Sequence, residues 1–276
     1  MRSNNMMVYF KRNSILVNML TLVVCLLFAA NSIINIVWSK TIYQLPELYN
    51  SFLTNDYINI LFGVPILVIS LLLVRCNIRL GLIGWAGSLL FVVYNEIAYL
   101  FSVRNAYSLT INAIIVLMGL VTVALMLTSF DYPKLLNGEF PVKRSGVYGA
   151  VLVFMGLVFV ARAITNIVST VSGHGVLTIP EIGVNIADVI ICTLWILSGI
   201  FLIRKTKLGF IASFISYFQG SMLFLGLMIF MVFQPVLLGT KFVLLDFVVI
   251  AVMSLTFLVP LLLLICRFSG SCKKNY

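Results

Sequence analysis

The sequence predicts an all-α fold, a polytopic integral membrane bundle of eight transmembrane helices built as a tandem 4+4 repeat. The first observation is composition: the 276-residue chain is 62% hydrophobic and 9% charged, which leaves more apolar side chain than a soluble protein of this length can cover. The second is a series of long apolar runs. The third is a set of phrases that recur in the same order in both halves of the chain.

Each apolar run has roughly the 20 residues that a helix needs to cross a bilayer. The segments between them are too short for a soluble domain, so any function must lie within the bundle or at its rims. The first run follows Lys11 and Arg12 as a signal peptide would, but its length and its similarity to the fifth run argue against cleavage. The predicted spans, numbered in chain order, are 14–37, 56–74, 80–101, 108–129, 147–168, 184–203, 208–234 and 243–266.

The basic residues predict the orientation of the spans. With the N-terminus in the cytoplasm, 14 lysines and arginines fall on the cytoplasmic side and four on the other, Lys40, Arg104, Arg162 and Lys241. This split satisfies the positive-inside rule at every short loop. We therefore predict a multipass protein of the cell membrane with both termini cytoplasmic. Because the basic residues follow the loops and form no patch with interleaved aromatic residues, the lipid bilayer is the expected partner and nucleic acid is not.

An internal repeat is indicated by four pairs of matching phrases. FAANSIINIV at 28–37 matches FVARAITNIV at 159–168, and LPE at 45–47 matches IPE at 179–181. PILVISLLLVR matches LWILSGIFLIR, and LGLIGWAGSLLF matches LGFIASFISYFQ, at offsets that stay between 128 and 134 residues throughout. We read a duplicated four-span unit. The predicted organisation is a first repeat at 1–129, a cytoplasmic linker at 130–146 and a second repeat at 147–276.

An even number of spans in each unit means that both halves insert the same way up, related by a pseudo-twofold axis along the membrane normal. Proteins built in this way tend to form their binding site between the halves. The two copies differ at the outer ends of the first and fifth spans, where Asn31 in one copy is replaced by Arg162 in the other.

Ionisable residues inside the spans are the most informative feature of the sequence, since each costs about 2.5–3.5 kcal/mol at the bilayer centre. The predicted topology places all of them in the outer half of the membrane, and the inner half has no charge. We expect them to converge on an outward-facing polar cavity between the repeats, in which one arginine pairs with surrounding carboxylates and a cationic ligand is favoured. The predicted ligand-binding residues are Glu96, Arg162, Asp188, Asp246, Asn31, Asn95 and Asn166. The competing interpretation is that the carboxylates near helix ends reach the headgroups and have only a structural role.

Signatures of catalysis and of metal or cofactor binding are absent from the sequence. It has no nucleophile elbow, phosphate-binding loop or zinc-ligand spacing, and His174 is its only histidine. Two of the five cysteines lie inside predicted spans and the others at or near the cytoplasmic face, so we expect free thiols. No cofactor is predicted, and an enzyme is the least favoured function.

A family resemblance adds to this interpretation. The first half contains, in order, a Pro-Glu pair, a polar-headed span, an arginine-ended loop, a Leu-Gly start and then Tyr94-Asn95, and the second half contains IADVIICTLWILSGIFLIRK. This pattern resembles a set of small prokaryotic multipass membrane proteins that carry no assigned activity. The resemblance covers most of the chain. It implies the eight-span layout and supplies no catalytic residue.

Three functions are compatible with these observations. The favoured one is a membrane protein that binds or transports a small solute, preferably cationic, in the outer cavity. The second is a non-catalytic sensor or assembly partner, in which the polar residues stabilise the bundle. The third is a membrane-embedded enzyme acting on a lipid, with Glu96 or Asp188 as its acid or base.

Overall fold

The computed structural model describes residues 9–10, 14–76, 78–136 and 144–268. Within these ranges the protein is all-helical, apart from one isolated bridge between Phe10 and Phe130. Eight helices are long and apolar enough to cross a membrane, as the sequence predicts. They are Ser14–Val37, Pro46–Arg75, Arg79–Ser102, Ala106–Ser129, Ser145–Val171, Ile179–Ile203, Lys207–Leu238 and Leu244–Cys266, and we number them in this order.

The second and sixth helices begin earlier than their apolar runs. They start at Pro46 and Ile179, because a proline in the first turn suits a helix start and lacks the N–H that would go unpaired there. At the sixth helix the Glu181 side chain also accepts a hydrogen bond of 2.7 Å from the Thr178 N–H, completing a capping box. Asp188 therefore lies in the third turn of its helix, well inside its N-terminus.

The second helix is interrupted by a π-helical turn at Asn59–Gly63. Its Val64 N–H bonds to the Asn59 carbonyl, five residues back. Pro65 follows directly and has no N–H to offer the preceding turn, which relaxes the regular helical register. Single π turns of this kind are often found at functional sites.

The third helix is the centre of the bundle. In its apolar stretch 89% of residues are buried, against 22–44% in the other spans. It packs against the second, fourth, sixth and seventh helices, so it joins the two halves of the chain. Gly183 of the sixth helix allows the closest approach, since a β-carbon there would overlap the Ala98 carbonyl and the Ser102 hydroxyl of the third.

The fifth helix packs mainly along the sixth. Small residues make this pairing close: a β-carbon on Gly149 would lie 2.6 Å from the Gly199 carbonyl oxygen, and one on Gly156 would lie 2.8 Å from the Cys192 carbonyl oxygen. Close backbone approach at small residues is the usual way for membrane helices to associate. The pairing brings side chains near the C-terminal end of the fifth helix next to the N-terminal third of the sixth.

One end of the bundle is filled by apolar and aromatic side chains. Phe10 packs against Trp85 and Phe130, with ring centroids 6.0 and 5.3 Å apart, and the Asp131 N–H donates to the Tyr9 carbonyl oxygen. Beyond Phe130 lies a short helix, Tyr132–Leu136. The centre of the predicted linker at 137–143, and the chain ends at 1–8 and 269–276, lie outside the described residues.

Candidate functional site

Buried polar side chains gather at the other end of the bundle, where the odd-numbered helices end and the even-numbered helices begin. We call this the polar end. It contains two groups of side chains, one around an ion pair in the second half of the chain and one around two carboxyls in the first half. Toward the opposite end, most of the described buried side chains are apolar, and the polar ones among them carry no charge.

The ion pair joins the fifth and sixth helices. Arg162 Nη2 lies 2.9 Å from Asp188 Oδ2, and the Tyr94 hydroxyl donates to Asp188 Oδ1 at 2.9 Å. The Asp188 side chain is 7% exposed, whereas that of Arg162 is 53% exposed and lies 5.5 Å from the centre of the Phe159 ring. A buried carboxylate is thus neutralised by a guanidinium that still reaches the surface.

A cavity of about 510 Å³ lies beside this ion pair. Side chains from the second, third, fifth, sixth, seventh and eighth helices line it, so it lies between the two halves of the chain. The polar side chains that line it include Asn55, Tyr94, Asn95, Arg162, Asn166, Glu181, Asn185 and Asp188, and the aromatic ones include Phe52, Phe91, Phe159, Trp195, Phe224 and Phe230. Trp195 donates through its indole N–H to Gln219 Oε1 at 2.7 Å, which fixes the ring.

The second group, which we call the carboxyl cluster, surrounds Asp56 and Glu96. Asp56 accepts hydrogen bonds from the Tyr43 hydroxyl at 2.6 Å, the Tyr99 hydroxyl at 3.0 Å and the Asn35 amide at 3.3 Å. Burial, followed by the negative charge of Asp56, raises the pKa of Tyr43 well above its usual value, so its hydroxyl remains a donor.

Glu96 is less well satisfied than Asp56. Among the described residues, only the Asn31 amide donates to its two oxygens, at 3.4 and 3.5 Å, and the same amide donates to Asn112 Oδ1 at 2.9 Å. The Tyr107 hydroxyl in turn donates to Asn31 Oδ1 at 3.2 Å. Glu96 therefore faces the first and fourth helices.

Asn55 connects the carboxyl cluster with the cavity. Its amide donates to Asn95 Oδ1 at 3.0 Å and to the Tyr99 hydroxyl at 3.1 Å. Asn55 and Asn95 line the cavity, while Tyr99 donates to Asp56. The two groups are thus separate sites that share a hydrogen-bonded border.

The predicted site residues divide between these places. Arg162, Asp188, Asn95 and Asn166 surround the cavity, where Asn166 donates to Asn185 Oδ1 at 3.3 Å. Glu96 and Asn31 belong to the carboxyl cluster, and neither lines the cavity.

The structure therefore does not bring all four ionisable residues together at one cavity. Glu96 follows Asn95 directly, and one residue turns a helix by about 100°, so the two side chains face different neighbours. Asp246 lies in the first turn of the eighth helix, is exposed and does not line the cavity. Its position complements the positive end of the helix dipole.

Asp56 is the functional candidate that the site prediction leaves out. It is the first residue of the predicted span at 56–74. The helix start at Pro46 instead places it in the interior with no exposed surface. The available signal was Asn31 and Asn35, four residues apart on one helix face, since two buried amides in register require polar partners on neighbouring helices.

Comparisons with known proteins give no assignment: no family model, curated protein or solved structure matches this chain.

Proposed function

We propose that this integral membrane protein binds a small organic cation in the cavity beside Arg162 and Asp188, as part of solute recognition or transport. The observation that carries the proposal is the combination of a buried carboxylate with aromatic walls in one cavity between the halves. Aromatic faces attract organic cations, and this attraction grows when both partners are removed from water.

The ion pair is suited to exchange. Arg162 has half of its side chain exposed and can move away without being stranded in a nonpolar environment. Asp188 would remain buried, held by Tyr94, and would accept the ammonium group of a ligand in place of the guanidinium. The apolar part of the ligand would then lie against the aromatic rings that line the cavity.

The proposal also includes an internal duplication of the four-helix unit and the orientation of the protein in the membrane. Asn35 and Asn166 match in the repeat, and each donates to a polar residue of the next span, Asp56 or Asn185. Those two partners stand at equal distances before the arginines that end their spans. This pair of equivalent hydrogen bonds supports two related halves, and the positive-inside pattern supports an extracytoplasmic polar end.

The test measures the binding of quaternary and primary ammonium compounds to the purified protein in lipid nanodiscs. Quenching of tryptophan fluorescence reports the binding. We expect Asp188→Asn to weaken the binding of primary ammonium compounds about tenfold or more, because a hydrogen bond to a charged group contributes about 1.5–3 kcal/mol. Asp246→Asn removes the same charge outside the cavity and should bind as the wild type does. Equal affinity in wild type and Asp188→Asn, or loss of binding in Asp246→Asn, would contradict the proposal.

A further inference from the structure

The carboxyl cluster contains two buried acidic side chains and no basic partner among the described residues. Asp56 is 0% exposed and Glu96 is 1% exposed. Arg162 pairs with Asp188, and the other basic residues of the polar end, Lys40, Arg104 and Lys241, are exposed and form no ion pair with either carboxyl. We propose that this cluster is a Na⁺-binding site, with Glu96 as its charged ligand and buried amide and hydroxyl oxygens as neutral ligands. The proposal does not depend on a ligand in the cavity.

The unequal hydrogen bonding of the two carboxyls indicates where the cation binds. Asp56 accepts hydrogen bonds from three donors, those of Tyr43, Tyr99 and Asn35. Glu96 receives only long contacts from Asn31. A buried carboxylate with so little compensation must be neutralised by a proton or by a cation.

Unpartnered buried oxygens favour the cation over the proton. Within the described part of the chain, Asn35 Oδ1 and Asn59 Oδ1 are buried and have no hydrogen-bond partner. The Asn35 amide nitrogen bonds to Asp56, and the Asn59 amide nitrogen bonds to Ser32 of the first helix. A cation bound at the cluster would take amide oxygens of this kind as ligands, whereas a proton on Glu96 supplies one donor only.

The arrangement of helices gives the site two layers. Asn31 and Asn35 are one turn apart on the first helix, and Glu96 and Tyr99 are one turn apart on the third. Asn31 contacts Glu96 in one layer, while Asn35 and Tyr99 contact Asp56 in the next. A cation held between the layers would bring oxygen ligands from the first, second and third helices together.

The ligand chemistry selects a small monovalent cation. All the candidate ligands are oxygens, which hard cations prefer. Among the described residues no group of three or more histidine, cysteine, aspartate or glutamate side chains could hold a metal ion. Glu96 is the carboxyl with fewer hydrogen-bond donors, so we expect a cation with a single positive charge, and the site has too few charged ligands for Ca²⁺ or Mg²⁺.

The experiment measures saturable ²²Na⁺ binding by the purified full-length chain in nanodiscs, together with its melting temperature in NaCl against equal KCl. We expect about one Na⁺ bound per chain and a higher melting temperature in NaCl. Glu96→Gln, of nearly equal shape but without charge, should lose both effects. Asp188→Asn should retain both, which separates this site from the cation cavity.

Three results would overturn the proposal: no saturable ²²Na⁺ binding by the wild type, undiminished binding by Glu96→Gln, or stabilisation by acid, Ca²⁺ or Mg²⁺ instead of Na⁺. Should Glu96→Gln fail to fold, the wild-type measurement still decides, and Asn59→Ala provides a second variant. It removes an unpartnered oxygen and should weaken ²²Na⁺ binding several-fold.

Discussion

Replacement of Gly183 by alanine should lower the melting temperature of the protein by several degrees. The added methyl group would overlap the Ala98 carbonyl and the Ser102 hydroxyl at the contact between the third and sixth helices. Overpacking of this kind costs about 1–3 kcal/mol, and a backbone oxygen cannot move aside as a flexible side chain can. Because the third helix joins the halves, the whole bundle should respond.

The control is Gly146→Ala in the first turn of the fifth helix. A β-carbon there meets nothing within 4 Å, so this variant should melt at or slightly above the wild-type temperature, since alanine favours helix over glycine. Both variants can be followed by fluorescence-detected thermal unfolding in the same detergent. Equal melting of Gly183→Ala and Gly146→Ala would mean that the third and sixth helices do not meet at this point.

Filling the cavity should weaken ligand binding without loss of stability. Gly226 lines the cavity, and a β-carbon at this position would lie 3.5 Å from the nearest atom of Phe91, an ordinary contact. The longer side chain of Gly226→Leu must then extend into the space that the ligand would use. We expect the affinity for an organic cation to fall by about tenfold or more, while helix propensity contributes about 1 kcal/mol in favour of the folded state.

Gly226→Ala is the matched control for this prediction. Its single methyl group leaves most of the 510 Å³ open, so affinity should change little. Calorimetric titration in nanodiscs measures both variants, and a melting curve confirms that each is folded. Full affinity in Gly226→Leu would place the ligand elsewhere on the protein.

The number and order of the helices followed from composition and run length, because eight apolar stretches have no other stable environment than lipid. Composition and run length did not predict that the second and sixth helices begin before their apolar runs. Their first turns are polar and carry Pro46 or Pro180, so a hydropathy criterion excludes them although their N-terminal chemistry favours helix. Because the second helix begins at Pro46, Asp56 lies well inside it and has no exposed surface.

The depth of the polar residues was predictable, but their partners were not. Arg162 and Asp188 meet because neighbouring antiparallel helices bring equal depths together. Glu96 stands at a similar depth, yet it faces the first and fourth helices, and only the rotation of the third helix in the bundle decides that. Rotation is set by packing at residues such as Gly183, which no periodicity in a nearly continuous apolar sequence reveals.

The central claim is that a cation-binding cavity beside Arg162 and Asp188 opens at the polar end, on the extracytoplasmic side. The most direct measurement is the reaction of Asn166→Cys, in a background with the native cysteines replaced, with a membrane-impermeant cationic thiol reagent added outside intact cells. We predict rapid labelling of Asn166→Cys, slowed by an organic ammonium ligand, and no labelling of Ser88→Cys, which is buried toward the opposite end. Labelling of Asn166→Cys only after the membrane is opened would contradict the claim.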